Sequence, residues 1–415
     1  MISGDTIVAA ATPLGFSGVA VIRVSGPLAF KISRKITHQN KTNDRVATLR
    51  TLFNLDGEKL DQGILTCFAS PASYTGEDTL EVSSHGNPTI IDNIISTVCL
   101  LGARLAEPGE FTYRAFINGK MDLVQAEGVA SLIRSKTLEG VREQQKIIEG
   151  QLSAEINKIR KTLIDLVSTL EYQMDISEED LNMSVQISAQ KVLKGLQKKV
   201  LEMSKTFRMG KMLNLGVAVV ITGPPNVGKS SLLNSLCGDN KAIVSPLPGT
   251  TRDVISAELI LEGVPLVFFD TAGIRKTKNR VEKEGVSRAL TQKKQADIII
   301  SVSDNPLEEI DHVGDQLCVF VLNKADLHTE PAPKTVIHIS CKNKTGIKEL
   351  LLEIKNKLQI HPISSDASLL STPRQQLSIK LCAEHLDRAD ELFTETGVEL
   401  ELLSLELRGG VEALD

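Results

Sequence analysis

The residues GPPNVGKS at positions 223–230 constrain the fold of this chain more than any other feature. They match the pattern G-x-x-x-x-G-K-[ST], in which backbone N–H groups and a helix N-terminus bind the phosphates of a nucleotide. A run typical of a buried strand, 217–222, precedes the match, and a run typical of a helix, 231–236, follows it. This order predicts a mostly parallel α/β sheet with the loop at the carboxyl end of a strand. We expect Lys229 to bind the β- and γ-phosphates and the Ser230 hydroxyl to bind Mg²⁺.

Two motifs further along the chain are typical of the phosphate end of a GTPase site. GTTRD at 249–253 follows the first helix, and its Thr251 is placed to bind Mg²⁺ and to sense the γ-phosphate. DTAG at 270–273 ends the next strand; Asp270 would hold Mg²⁺ through water, and the Gly273 N–H would meet the γ-phosphate. Thr251 and Gly273 are therefore predicted to act in hydrolysis.

Two later motifs select the base. NKAD at 323–326 follows a strand, and the Asp326 carboxylate can accept from both N1–H and the 2-amino group of guanine, which adenine does not offer. SCK at 340–342 follows the next strand and would brace the guanine ring. Five motifs in order, each at a strand end, predict GTP as the nucleotide. The full predicted GTP site comprises Asn226, Val227, Gly228, Lys229, Ser230, Ser231, Ser245, Pro246, Leu247, Pro248, Gly249, Thr250, Thr251, Asp270, Thr271, Ala272, Gly273, Asn323, Lys324, Ala325, Asp326, Ser340, Cys341 and Lys342.

The usual catalytic groups of a Ras-like GTPase are missing from the expected positions. Ile274 stands where such proteins place a water-orienting glutamine, and an apolar side chain cannot orient water. Arg252 and Arg275 are candidates for an arginine finger, but arginines in exposed switch loops are more often solvated.

A monovalent cation is the predicted substitute for the arginine finger. The Asn226 side-chain oxygen lies in the phosphate loop, and together with backbone carbonyls of 245–250 it could hold such an ion. Glu282 is placed to orient the water, although spacing alone favours a solvent-facing helix acid.

Length and composition set the wider frame. The chain has 415 residues, which predicts two or three domains, and a net charge of −5, which argues against coating nucleic acid by charge alone. Aromatic residues make up only 3%, with no Trp, so a stacking platform for single-stranded nucleic acid is not expected. No apolar run is long enough for a membrane span, and the six cysteines are scattered without a CxxC pair. We therefore expect a cytoplasmic protein with reduced thiols and no membrane contact.

The predicted secondary structure changes in character three times along the sequence. Residues 1–120 mix short β-rich runs with turn residues, and 121–212 are helical. Residues 213–372 alternate strand and helix, and 373–415 return to helix, with leucines among charges at 377, 381, 386 and 392. Within the first helical stretch an apolar stripe recurs at steps of four and three residues: Leu152, Ile156, Ile159, Leu163, Leu166 and Leu170. This order predicts an α/β domain inserted into a helical one, behind an N-terminal α+β domain.

Three features have two readings from spacing alone. The polar segments 70–86 and 107–122 are either solvated loops or groups that converge on a small ligand, and the sequence does not decide between them. His85 has no Cys or His partner nearby and is predicted to be structural. A basic run with one acid, Glu202, either contacts RNA phosphates or is a solvated helix face, and the sequence favours the solvated face. The run comprises Lys191, Lys194, Lys198, Lys199, Lys205, Arg208 and Lys211.

Beyond the GTPase motifs, several longer segments carry a family resemblance. They are DTIVAAATPLGFSGVAVIRVSGP at 5–27, SYTGED at 73–78, PGEFTYRAFINGKMDLVQAEGVASLI at 108–133, TPRQ at 372–375 and AEHL at 383–386. On these residues the chain resembles the bacterial and organellar tRNA modification GTPases of the MnmE (TrmE) family, over essentially its whole length.

The resemblance implies a multidomain α/β fold. It implies a folate-binding, dimerising N-terminal domain (1–120), a helical domain in two segments (121–212 and 373–415) and an inserted Ras-like P-loop G domain (213–372). It also implies a homodimer that joins the flavoprotein MnmG in a heterotetramer. The pair would add a carboxymethylaminomethyl-type group to C5 of the wobble uridine of certain tRNAs. The one-carbon source would be 5,10-methylene- or 5-formyl-tetrahydrofolate.

The resemblance also assigns residues by matching position. Arg23, Glu81 and Lys120 would contact the folate. Asn226 would bind K⁺, and K⁺ would aid both G-domain dimerisation and hydrolysis. The residues that would help Asn226 bind K⁺ are Ser245, Leu247 and Thr250. Glu282 matches the water-positioning acid of the family, which reverses the reading from spacing.

Departures from the family pattern keep two alternatives open. The family normally ends in a Cys-x-Gly-Lys tail, whereas this sequence ends in GGVEALD at 409–415. A GTPase that has lost modification activity is therefore one alternative. The other is a switch of the Era or Der type in ribosome assembly; the PGEFTYRAFINGK segment argues against it, because those proteins lack that segment.

Overall fold

The computed structural model describes residues 4–39, 43–176, 183–238, 256–270, 296–305, 317–327, 336–360, 368–393 and 400–415. The chain divides into two compact units, Met1–Ala126 and Glu127–Asp415. Each unit contains a six-stranded sheet. In the described part of the chain, no helix combines the length and the apolar character needed to cross a membrane.

The first unit is an α+β domain built on a mixed sheet of order β3-β4-β5-β2-β1-β6. Its strands are β1 (Thr6–Ala10), β2 (Ser17–Ser25), β3 (Thr48–Phe53), β4 (Lys59–Phe68), β5 (Thr79–Gly86) and β6 (Ala103–Leu105). Its helices are α1 (Ala29–Thr37), α2 (Pro88–Leu100) and α3 (Glu110–Ile117). All the pairings are antiparallel except that of β1 with β6.

Apolar and polar residues alternate along the strands of the first unit, and this alternation decides which face of the sheet is buried. Ile22, Val24, Leu80 and Val82 are fully buried and pack in one apolar cluster with residues of α1 and α2. The intervening positions of β2 and β5 face the other way, which leaves polar side chains such as those of Arg23 and Glu81 on the opposite face of the sheet.

The helical part consists of two stretches far apart in sequence. The helices are α4 (Leu123–Arg134), α5 (Leu138–Ile148), α6 (Gln151–Ile176), α7 (Met183–Leu215), α10 (Pro373–Glu391) and α11 (Leu400–Glu412). The stripe predicted for α6 is buried, except for the half-buried Ile156. The helix after 372 is also as predicted, but Leu377 and Leu381 are exposed, and α10 buries Ile379, Cys382 and Leu386 instead.

The TPRQ segment begins α10 with a capping box. The Thr372 hydroxyl accepts from the Gln375 N–H, and the Gln375 side chain accepts from the Thr372 N–H. Glu127 of α4 accepts hydrogen bonds from Thr372, Gln375 and Arg374, at 2.6 to 3.1 Å. One carboxylate therefore ties the start of the second helical stretch to the first.

Between the two helical stretches lies the α/β part, with sheet order β12-β11-β10-β7-β9-β8. Its strands are β7 (Val217–Thr222), β8 (Ser256–Leu261), β9 (Val264–Asp270), β10 (Ile298–Ser303), β11 (Leu317–Leu322) and β12 (Ile337–His338). The helices described in this part are α8 (Lys229–Gly238) and α9 (Ile347–Leu358). Only β8 is antiparallel to its neighbour, so the predicted mostly parallel sheet and the multidomain α/β fold are confirmed.

A single residue, Gly216, connects α7 to the central strand β7. Its φ of +77° lies in the left-handed region, and a Cβ there would come within 2.9 Å of the Pro265 carbonyl oxygen. Glycine is therefore required at this junction, because a side chain would force either the helix or strand β9 to move.

Candidate functional site

The phosphate loop begins where β7 ends and finishes at the first residue of α8. Lys229 opens α8, and its Nζ lies 2.9 Å from the Gly223 carbonyl oxygen and 2.6 Å from that of Pro224. Val227 is buried beneath the loop. The ammonium group therefore lies inside the ring of backbone that a phosphate would enter, at a helix N-terminus.

Gly228 lies close to a neighbouring side chain. Its φ is +98°, and a Cβ at this position would lie 2.2 Å from the Nδ2 atom of Asn323. Only glycine therefore allows the loop to pack against Asn323. The loop has the glycine-dependent shape of an anion cradle, which fits a nucleotide phosphate.

Asn323 connects three of the predicted motifs. It is 3% exposed, and its Nδ2 donates to the Val227 carbonyl at 2.7 Å. Its Oδ1 accepts from the Cys341 N–H at 3.4 Å, and its own N–H donates to the Ser303 carbonyl at 2.8 Å. The phosphate loop, the NKAD motif and the SCK motif are thus held together by one buried amide.

Asp326 and the SCK loop form the end of the site expected to bind the base. The Asp326 Oδ1 accepts from the Ser340 hydroxyl at 2.6 Å, which fixes the carboxylate orientation. Burial raises the pKa of the neighbouring Cys341 thiol, so this side chain is neutral at physiological pH. Lys324 adopts a left-handed conformation and pairs with Asp304, directly after β10.

Part of the predicted site lies outside the described residues. Asp270 ends β9, but its side chain is not among those described. The predicted residues outside the described ranges are Ser245, Pro246, Leu247, Pro248, Gly249, Thr250, Thr251, Thr271, Ala272, Gly273 and Glu282. Of the predicted ion ligands, Ser230 follows Lys229 in α8, and Asn226 is an exposed loop residue with φ of +64°. Hydroxyl and amide oxygens at the mouth of the loop are ligand types that suit Mg²⁺ and K⁺.

A second cluster of polar and aromatic groups lies in the first unit. Arg23 of β2 and Glu81 of β5 are register partners, and their side chains pair at 2.7 Å. The Arg23 guanidinium also lies over the rings of Tyr74 and Phe111, at 5.1 and 5.6 Å from the centroids. Rings, a guanidinium and a carboxylate on one sheet face fit a flat heteroaromatic ligand with donors and acceptors, such as folate.

The two polar segments 70–86 and 107–122 meet beside this cluster. The Tyr74 and Thr112 hydroxyls lie 2.9 Å apart, and the Asn118 Nδ2 donates to the Thr75 carbonyl at 2.7 Å. Lys120 Nζ donates to the Pro71 carbonyl at 3.0 Å. The two segments therefore pack on each other and do not form separate solvated loops.

A buried network of charges holds these segments in place. Arg114, 4% exposed, pairs with Asp5 at 2.7 Å, Glu110 at 3.0 Å and Glu77 at 3.1 Å. Glu110 also pairs with Arg104 at 2.6 Å. The hydrogen bonds from Arg104, with those from the Glu107 N–H and Arg114, outweigh burial and lower the pKa of Glu110 to about 2.

His85 is exposed and contacts a single carboxylate, that of Asp61. Its Nδ1 lies 2.8 Å from Asp61 Oδ1, and its backbone N–H donates to the same carboxylate at 2.9 Å. Among the described residues, no group of three or more His, Cys, Asp or Glu side chains is arranged to hold a metal ion.

Several residues of these sites were missed by sequence reasoning. Asp304 and Ser303 support the NKAD motif, and their position at a strand end was the available signal. Tyr74 and Phe111 lie within SYTGED and PGEF, but nothing in their spacing indicates that both pack on Arg23.

Comparisons with known proteins cover both units. A family model described as the GTP-binding protein TrmE N-terminus matches residues 6–120, and one described as the MnmE helical domain matches 123–415. Two curated relatives are named tRNA modification GTPase MnmE. The Aquifex aeolicus protein is 37% identical over 97% of this chain and 93% of its own. The Nitrosomonas eutropha protein is 38% identical over 100% of this chain and 95% of its own.

One solved structure that resembles the chain is Aquifex aeolicus Era bound to GDP and AlF4⁻. The two chains are 25% identical over 43% of this chain and 68% of that one, with a TM-score of 0.27.

Proposed function

The chain belongs to the MnmE family of tRNA modification GTPases, enzymes that hydrolyse GTP and modify tRNA, and on that premise we propose its finer chemistry. We propose a K⁺-activated GTPase that works with the flavoprotein MnmG. Together they would add a carboxymethylaminomethyl-type group to C5 of the wobble uridine, with a tetrahydrofolate derivative as the one-carbon source. Family matches to both units leave the alternative of an Era- or Der-type switch without support.

The observation that carries the proposal is the position of Asn323. This one side chain contacts the phosphate loop through Val227 and the SCK loop through Cys341. A nucleotide bound with its phosphates at Lys229 and its guanine at Asp326 would therefore contact two loops that Asn323 holds together. The Lys229 ammonium would then exchange carbonyl contacts for phosphate oxygens.

We propose that hydrolysis depends on charge supplied by K⁺ rather than by an arginine. The Asn226 amide, exposed and without a hydrogen bond in the described part of the chain, is free to bind the ion. Ser245, Leu247 and Thr250 would complete the ligand set. Ser230 and Thr251 would bind Mg²⁺, and the Gly273 N–H would contact the γ-phosphate. Glu282 would orient the attacking water, since Ile274 is unable to do so.

We propose a folate site on the sheet face of the first unit. Arg23 and Glu81 would bind polar edges of the folate. The Tyr74 and Phe111 rings lie beside the Arg23 guanidinium and would limit the space around it. Lys120, held at the Pro71 carbonyl, would reach a carboxylate of the ligand. When bound, the folate supplies the one-carbon unit; the residues of this chain bind and orient it.

We also propose the assembly implied by the family. Residues 1–120 would dimerise, 121–212 and 373–415 would form the helical domain, and 213–372 would cycle with GTP. The homodimer would associate with MnmG in a heterotetramer.

The test is GTP hydrolysis in KCl and in NaCl at equal ionic strength. We expect hydrolysis to be at least tenfold faster in KCl, and Asn226→Ala to abolish the difference. Asn234→Ala, at an exposed position of α8, is the matched control and should keep it. Equal wild-type rates in the two salts would refute the role of the cation. Mass analysis of wobble uridines in a deletion strain complemented with this chain tests modification separately.

A further inference from the structure

The helix α7 carries a row of lysines whose side chains form no ion pair or hydrogen bond with the described residues. Lys191, Lys194, Lys198 and Lys205 are all exposed. At 100° per residue, their spacings of three, four and seven residues keep them within about 60° of one another around the helix. Along the helix the row extends for about 21 Å.

The row lies opposite the buried face of α7. Leu193, Leu196 and Val200 are at most 3% exposed and form the contact side of the helix. Gln197, on the flank, donates to Asp387 of α10 at 2.9 Å, which places that carboxylate beside the packed side. Glu202 is the one acid that borders the row.

These four ammonium groups have no acidic partner among the described residues, and they lie together on one side of one helix. Among the described residues, none of the four has an ion pair or a hydrogen bond. Several other cations of the helical part have carboxylate partners: Arg160 with Asp415, Arg374 with Glu127, Arg388 with Glu406, Arg408 with Glu171 and Lys146 with Glu143. Four uncompensated charges on one face of a chain with net charge −5 form a local basic surface.

We propose that this row of α7 binds the phosphate backbone of the substrate tRNA. The inference rests on the action of this protein on tRNA and goes further by naming the surface. A row of lysines without aromatic neighbours recognises charge and not base identity, so it would position tRNA without selecting among tRNA sequences. Flexible ammonium groups suit phosphates at unequal spacings, whereas a site that reads bases uses planar, bidentate groups.

The test is tRNA affinity as a function of salt, measured with the full-length nucleotide-free protein and a fluorescently labelled tRNA. The variant carries Lys191→Gln, Lys194→Gln, Lys198→Gln and Lys205→Gln. The matched control carries four exposed substitutions elsewhere: Lys31→Gln, Lys35→Gln, Lys59→Gln and Lys348→Gln. Both lose the same net charge, and both should keep the wild-type basal GTPase rate.

At about 0.7 per phosphate, the lower coefficient found for nucleic acids, four phosphate contacts contribute about 2.8 to the slope of log Kd against log salt. We therefore expect the affinity ratio of wild type to the α7 variant to fall by about fifty-fold between 50 and 200 mM NaCl at fixed K⁺. The control should keep the wild-type slope. The fourfold Lys→Arg variant should also keep it, because arginine preserves the charge.

Two results would overturn the inference. The first is an α7 variant whose slope equals that of the control, which would make the row a solvated helix face. The second is unchanged tRNA affinity with lost binding of MnmG, which would make it a protein-docking surface. A wild-type protein that binds no tRNA would also overturn the inference, whereas the wobble-uridine analysis tests the proposed function, so the two failures are distinguishable.

Discussion

Substitution of Glu110 tests whether buried charge stabilises the candidate folate site. The carboxylate is 7% exposed and receives hydrogen bonds from Arg104, Arg114 and the Glu107 N–H. Glu110→Gln keeps the shape of the side chain but removes its charge. We expect the first unit to lose stability because two arginines lose a buried partner.

The magnitude follows from the pKa. A fall from the ordinary 4.5 to about 2 corresponds to about 3 kcal/mol of stability at neutral pH. Because the folded state lowers this pKa, the contribution is fully present above pH 4.5 and is lost as the pH falls towards 2. The difference between wild type and Glu110→Gln should therefore be the same at pH 7 and pH 5.5, and should shrink below pH 4.5.

Hydrogen exchange measured by mass spectrometry in increasing urea provides the assay. Peptides covering β6 and α3 report the free energy of opening in the full chain. Glu107→Gln is the matched control, because Glu107 is exposed and its contact to Glu110 is made by the backbone. A loss for Glu110→Gln within about 0.5 kcal/mol of that control would refute the reasoning, because changes of that size are typical of ordinary surface substitutions.

Two further predictions concern the nucleotide site. Asp326→Asn removes one of two carboxylate acceptors for guanine, so nucleotide preference should shift from GTP towards xanthosine triphosphate; competition binding measures this, and retained GTP preference would contradict the assignment. Glu282→Ala should keep GTP affinity within about threefold while turnover falls at least a hundredfold, as expected when a group acts only on the transition state. Single-turnover hydrolysis checks the second prediction, and unchanged turnover would mean that another residue positions the water.

The clustering of the nucleotide-binding motifs at one edge of the sheet could be predicted because its signals are local. The phosphate loop, NKAD and SCK each follow a strand, and parallel strands bring their carboxyl ends to one edge of the sheet. The role of Asn323 could not be predicted, because it depends on a contact with Val227, 96 positions away in sequence.

Two further features were left undecided by the sequence for physical reasons. The leucine pattern after 372 indicated a helix but not its buried side, since Leu377 and Leu381 are exposed while Cys382 is buried. Similarly, the sequence did not decide whether the polar segments of the first unit are solvated loops or converge on a ligand. They pack together because Arg114 provides a buried positive charge to three carboxylates.

The one-residue junction at Gly216 links the direction of α7 to that of strand β7. The helix is 33 residues long, about 50 Å, and leads without slack into the central strand of the nucleotide-binding sheet. A tilt of about 5° at that hinge would swing the far end of the rod by about 4 Å. Any change in the angle between the helix and the strand would thus give an ångström-scale displacement at the far end of α7.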